Sequence, residues 1–267
     1  MNSFEKMKRK KQFTDNKNID DSPKKPANIN AFNFDGVRKD AVNRDAIRRR
    51  RIFIEPKDSE SMIAVSAYKS LRTSVLKELN HINSNAFMVT GPVKGVGKTS
   101  TSINLAINIA RLQNKTALLV DLDLRHPSVH KYLGIKPELG IGDVLTGHAK
   151  LEDVILDTGI NDFFLLPGKK KYEYSSELLS SNVMHNLLTT IKHLDEDTVI
   201  IFDMPPILGC DDVPAISPYI DACLMVIEEG ATKLNELEES VSRIKDTNII
   251  GYVLNKSADT AAAKYYY

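Results

Sequence analysis

Cysteine is scarce in this chain: Cys210 and Cys223 are the only two in 267 residues, and they lack metal-ligand spacing. A disulfide framework is therefore excluded, and the expectation is a pair of reduced, buried thiols in a cytoplasmic protein. Long apolar runs are also missing. No stretch approaches the roughly 20 apolar residues of a membrane span, and the first residues lack the apolar core of a signal peptide. Internal repeats are not visible. Net charge is almost absent too, at +1, but that total hides two unlike segments. Residues 1–57 carry 16 Lys and Arg against 8 Asp and Glu, which leaves 20 against 27 for the rest.

The first segment is rich in Asn, Lys, Asp and Arg, poor in branched aliphatics, and interrupted by Pro23 and Pro26. It holds too little apolar surface to offset the entropy of ordering. The composition predicts a disordered basic arm over 1–57, a compact domain over 58–260 and a flexible tail over 261–267. Lys8 to Lys11 and Arg48 to Arg51 are clusters suited to a solvated tail or to an anionic surface such as a membrane face. A nucleic-acid partner is not expected.

What is present begins with Val89-Thr90-Gly91-Pro92-Val93-Lys94-Gly95-Val96-Gly97-Lys98-Thr99-Ser100-Thr101. The apolar run Ala86 to Val89 predicts a buried strand, and the residues after the loop predict a helix with Ile103, Leu105, Ala106, Ile109 and Ala110 on its apolar face. Strand, Gly-rich turn and helix together make a phosphate-binding loop. The loop Gly91 to Ser100 would bind the anion through its backbone N–H groups, which Pro92 alone lacks, with Lys98 a point charge for the β- and γ-phosphates and Thr99 a hydroxyl for Mg²⁺. Pro92 stands where the strict pattern has its first Gly, and Gly91 comes one residue early.

Two further strands end in acids. Thr116 to Val120 runs into Asp121-Leu122-Asp123-Leu124-Arg125, and Thr198 to Phe202 runs into Asp203-Met204-Pro205-Pro206. Asp121 and Asp123, two residues apart, share one side of a strand. In an open α/β sheet, ligands lie beyond the carboxyl ends of strands. A close carboxylate pair favours a cation nearby, so the expected metal ligands are Thr99, Asp121 and Asp203. Asp123 is the candidate for accepting a hydroxyl proton, with Asp121 as alternative. An Asp capping the helix near Pro127 would explain one of these acids but not both. Strands at 222–227 and 249–255 complete the sheet, with a helix near 233–245 carrying Leu234, Leu237, Val241 and Ile244 on one face. Asn255, at a strand end, is placed either to contact a purine ring or to serve as an ordinary turn Asn.

Loop, Asp-x-Asp-x-Arg strand, Asp-x-Pro-Pro strand and final Leu-Asn-Lys strand together resemble the bacterial tyrosine autokinases of exopolysaccharide and capsule export, relatives of the Min and Par ATPases. The resemblance covers about 60–267. It implies a three-layer P-loop fold with a mostly parallel central sheet, Mg·ATP as cofactor, and Lys98, Asp121, Asp123, Arg125 and Asp203 as the catalytic set. Arg125 would contact a phosphate or partner the acid pair. Val93 stands where partition ATPases carry a signature lysine, which favours the kinase branch. Leu165 to Gly168, Ser176 to Ser181 and Asp212 also look like this family. The terminal Tyr265, Tyr266 and Tyr267 match the family's phosphoacceptor cluster, modified by a neighbouring subunit.

The family further implies a homo-oligomer and a separate membrane chain-length regulator whose cytoplasmic tail activates the kinase at the inner membrane face. The stretch Ser66-Ala67-Tyr68-Lys69-Ser70-Leu71-Arg72-Thr73-Ser74 departs from the family's oligomerisation motif. Ser66 replaces Glu, Lys69 replaces Arg and Ser74 replaces Asn, and Lys does not reproduce the bidentate fork of Arg. Two other functions fit parts of the chain: a nucleotide-driven dimerising ATPase, and a non-catalytic regulator of polysaccharide synthesis.

Overall fold

The sheet at the centre of the structure is built from strands that are apolar on both sides, and helices cover both faces. The structure is a computed structural model and describes residues 32, 34–56 and 58–257. Its strands are β1 (Arg38–Lys39), β2 (Ala86–Thr90), β3 (Thr116–Asp121), β4 (Leu156–Asp157), β5 (Phe163–Leu166), β6 (Thr198–Asp203), β7 (Ala222–Glu228) and β8 (Asn248–Asn255). The helices are α1 (Arg44–Arg49), α2 (Ser59–His81), α3 (Lys98–Ala110), α4 (Val129–Leu133), α5 (Ile141–Leu145), α6 (Leu151–Val154), α7 (Ser175–Leu179), α8 (Asn182–Lys192), α9 (Asp212–Ile216) and α10 (Leu234–Arg243).

Strand order is β1-β4-β5-β3-β6-β2-β7-β8. Neighbours run parallel except the β4–β5 pair, which is antiparallel. Alternation along each strand divides the core in two. Phe87 and Val89 of β2, Ala117 and Leu119 of β3, and Val199 and Ile201 of β6 face α1, α2, α3 and α4. Met88, Leu118, Val120, Ile200 and Phe202 face the opposite layer, which α5 to α9 and Leu237 of α10 line. Central parallel strands covered on both faces need such continuous apolar runs. The mostly parallel, three-layer fold expected from the sequence is the one observed.

One expectation is overturned. The arm does not extend to residue 57 as a segment without structure. Within it, β1 adds in parallel to β4, α1 packs against α4, and Ile47 and Ile52 are buried in the core. Composition missed this because the segment borrows its partners. Asn104 of α3 accepts Phe53 N–H at 2.8 Å and donates to the Arg51 carbonyl at 3.1 Å. Arg50 stacks on Tyr132 at 4.6 Å, and Arg51 pairs with Glu60. Two buried isoleucines and a handful of polar ties suffice when the surface they dock on is already folded. Lys8 to Lys11 and the tyrosine tail lie outside the described residues. A smaller correction concerns α10: Leu234 does not join the buried face and is 70% exposed.

Candidate nucleotide-binding and phosphotransfer site

The site forms where three strands of the sheet centre end together. Register sets Val89 of β2 opposite Asp203 of β6, and Asp203 opposite Asp121 of β3. Both acids are fully buried, and the loop from Gly91 to Ser100 arches beside them.

Each unusual loop residue has a steric reason. A Cβ on Gly91 would lie 2.4 Å from the Val226 carbonyl oxygen of β7, so the early glycine serves close packing of loop on strand. Pro92 is buried, and it needs no N–H because its contribution is a carbonyl that accepts Leu208 N–H at 3.1 Å. Gly95 and Gly97 have φ of +92° and +99°, the left-handed region that glycine enters without strain. Val93 and Lys94 sit at the loop's outer part, and Val96 is buried beneath it. The helix α3 then starts at Lys98, so its unpaired first N–H groups, including those of Thr99 and Ser100, open toward the loop.

Lys98 is buried, and burial lowers its ammonium pKa while Asp203 and Asp123 oppose that shift. Thr99 Oγ1 donates to Asp203 Oδ2 at 2.8 Å, and Ser102 Oγ donates to Asp203 Oδ1 at 2.9 Å. Burial pushes Asp203 up to about 6 against these hydroxyls and Lys98. Asp121 lies well above its ordinary value, through burial first and the Asp203 charge second. Its Oδ2 accepts the N–H groups of Ser128 and Val129 at 3.0 and 3.1 Å. Asp121 is therefore the acid that caps α4, and with its other oxygen it still faces the site. That oxygen, Oδ1, is buried without a partner among the described residues.

Asp123 is half-buried and accepts His126 N–H at 2.9 Å. Arg125 turns away from the acid pair. Its Nε donates to Ser175 Oγ at 2.9 Å and lies 3.4 Å from Asp212 Oδ1, while Ser175 Oγ donates to the same Asp212 oxygen at 2.9 Å. Asn255 directs its amide nitrogen to the Val96 carbonyl at 2.7 Å. The structure thus brings Lys98, Thr99, Asp121, Asp123, Arg125, Asp203 and Asn255 to one end of the sheet. Tyr265, Tyr266 and Tyr267 lie outside the described residues. Ser102, Ser175 and Ser128 were not anticipated. The signal for Ser102 was its place one helical turn beyond Lys98, whereas Ser175 has no signal short of the fold.

A loop of this form, followed by paired buried acids on adjacent parallel strands, defines a P-loop nucleotide-binding domain. The family described as an AAA domain matches residues 89–250, and the chain belongs to it. Within that family it belongs with the bacterial tyrosine kinases. The tyrosine-protein kinase Ptk of Acinetobacter johnsonii is 32% identical over 195 residues, which cover 72% of this chain and 26% of that protein. The tyrosine-protein kinase Etk of Escherichia coli is 30% identical over 84% of this chain and 31% of its own length. This chain thus spans between a quarter and a third of such relatives. The solved kinase domain of E. coli Etk superposes with TM-score 0.68 at 30% identity, over 74% of this chain and 78% of that one. The VpsO kinase domain gives 0.66 at 28% identity, over 75% and 98%.

Proposed function

We propose that this chain is a protein-tyrosine kinase that uses Mg·ATP to phosphorylate its own C-terminal tyrosines, Tyr265 to Tyr267, in trans between copies. The observation that carries the reading is the pairing of Asp121 and Asp203 beside the loop, with a buried Asp121 oxygen unmatched by any described donor.

Two carboxylates and the Thr99 hydroxyl are hard oxygen donors of the kind Mg²⁺ selects. Thr99, Asp121 and Asp203 would hold it, and it would offset charge on the phosphate oxygens. Lys98 and the loop N–H groups of Gly91 to Ser100 bind the β- and γ-phosphates and stabilise charge as the phosphoryl group moves. The incoming phenol oxygen bonds to the γ-phosphorus as the bond to the β-bridging oxygen breaks, and ADP leaves. Asp123, less buried than its neighbours and not committed to α4, accepts the phenol proton; Asp121 is the alternative. Arg125, held by Ser175 and Asp212, keeps its outer nitrogens for a phosphate or the acceptor.

The wider role follows the same reading: regulation of exopolysaccharide polymerisation or export, with a membrane chain-length regulator as a separate activating partner. No helix among the described residues is long and apolar enough to cross a membrane; in this reading that partner or the basic residues 1–31 would bring the kinase to the inner membrane face. Deleting 1–31, which leaves the packed 34–56 segment intact, should reduce co-sedimentation with anionic vesicles. Homo-oligomers would use α2, but Arg72 already donates one outer nitrogen, Nη1, to the Asn108 carbonyl at 2.9 Å, which leaves Nη2 for a neighbour.

Mass spectrometry after incubation with Mg·ATP tests the kinase. Phosphate on the tail of the wild type, absent in Lys98→Met alone and restored to Lys98→Met by mixing, is the expected result. Phosphate release with ATP-dependent dimerisation and a bare tail would instead indicate the ATPase switch.

A further inference from the structure

Asn255 stands at the end of β8, the edge strand, yet it reaches the centre of the phosphate loop. Its amide nitrogen donates to the Val96 carbonyl at 2.7 Å. A Cβ placed on Gly97 would lie 2.0 Å from that same nitrogen, so the amide lies directly against the loop backbone. Its position is set from below. The Asn255 carbonyl accepts Glu229 N–H at 3.0 Å, and the next residue, Lys256, turns into the left-handed region at φ +56° and pairs with Glu228 at 2.8 Å.

A loop that binds an anion through N–H groups must turn the carbonyl of each peptide away from the anion. Here the carbonyls at the two ends of the loop are held in place. Gly91 and Pro92 accept the N–H groups of Ile207 and Leu208 at 3.0 and 3.1 Å. Gly97 accepts Thr101 N–H at 3.0 Å and Ser100 Oγ at 2.9 Å. Val96, between two glycines that tolerate either peptide orientation, is held by a side chain from the far edge of the sheet. The Val96–Gly97 peptide carries the Gly97 N–H, the donor before the first turn of α3.

Resting on the reading of residues 91–100 as a phosphate-binding loop, we infer that Asn255 is a positioning residue that holds the Val96–Gly97 peptide in its anion-binding orientation, and not in the first place a reader of the purine. One of the two amide N–H donors that could meet an adenine acceptor is already given to the Val96 carbonyl. Loss of the side chain frees a peptide flanked by two flexible glycines, and phosphate binding weakens whatever base is attached.

Calorimetric titration of the full chain with Mg·ATP, Mg·GTP and Mg·tripolyphosphate, which has no base, tests this. Asn255→Ala should weaken all three by a similar factor, about tenfold, for the loss of one half-buried donor worth ~1.4 kcal/mol. Asn255→Asp, which keeps the size but places an acceptor against the carbonyl, should weaken them at least as much. Thermal melts of both variants within a few degrees of wild type would separate this from unfolding. Hydrogen exchange resolved at Gly97 in ligand-free Asn255→Ala should be faster than in wild type, and it reads the loop even where a variant binds too weakly to titrate. Weaker ATP binding with unchanged tripolyphosphate binding, or a lost preference for ATP over GTP, would overturn the inference in favour of base recognition, as would unchanged affinity for all three. Failure of wild type to bind any of the three would instead reject the phosphate-loop reading itself.

Discussion

Asp121 and Asp203 are neighbours in register on adjacent strands, equally buried, yet the protein treats them differently. Asp203 has both oxygens matched by hydroxyls, from Thr99 and Ser102. Asp121 has one oxygen matched by two N–H groups at the start of α4 and the other bare. A buried carboxylate oxygen without a donor is costly, and a second carboxylate alongside adds to that cost. The difference teaches where the site keeps its unfilled coordination. Asp203 is the satisfied acid that ties down the first turn of α3, and Asp121 is the acid with one oxygen left open among the described residues.

The largest effect that separates them is catalytic against structural. Asp121→Asn should cut tail phosphorylation by about a thousandfold while leaving the melting temperature unchanged or raised by a few degrees, because a buried, half-matched charge is removed. Asp203→Ala should lose as much activity and also melt lower, since two buried hydroxyls lose their acceptor. Equal melting shifts for the two variants would break the distinction.

The next effect is on pH dependence. A carboxylate whose folded pKa is raised holds its proton more tightly folded than unfolded, so stability falls as pH rises through the interval. For Asp203 that interval runs from 3.8 to about 6, and Asp121 acts in the same direction, also starting from 3.8. Melts of the ligand-free protein should therefore show stability lost on going from pH 4 toward 6. Mg·ADP should flatten the slope by favouring the ionised acids, and a slope unaffected by Mg·ADP would contradict a cation between them.

Smaller effects sharpen the contrast. Ser102→Ala strips one donor from Asp203 and should cost roughly 1–3 kcal/mol of stability by denaturant unfolding, with activity within about tenfold of wild type. Ser128→Ala should cost under about 0.5 kcal/mol, below the ~1 kcal/mol typical of a capping serine. Ser128 stands at the cap position of α4 without making the cap bond, and the start of the helix is held instead by Asp121, which accepts the Ser128 and Val129 N–H groups.

Much of the site was legible before any fold was known. Gly95, Gly97, Lys98 and Thr99 lie within five residues, so their juxtaposition is local, and Asp121 and Asp203 each end an apolar run that reads as a strand. The helix-capping alternative, which could explain one of the two acids, is met by one oxygen of Asp121, while its other oxygen has no partner among the described residues. Arg125 could not be placed, since Ser175 and Asp212 come from distant segments. The segment 34–56 was misread because composition measures what a segment can bury by itself, whereas Ile47, Ile52 and the peptide at Arg51 to Phe53 are completed by α3 and α4.

The sequence by itself determined the class of chemistry: a phosphate loop and acids at strand ends follow from local spacing and the two-residue period of strands. Tertiary structure alone decided which acid is satisfied and which is left open, where Arg125 turns, that the basic arm folds onto the domain from residue 34, and that Asn255 holds the loop from the sheet's far edge. Those outcomes depend on strand order and register, which bring residues from 50 to 159 positions apart within hydrogen-bonding distance, and no local pattern encodes such distances.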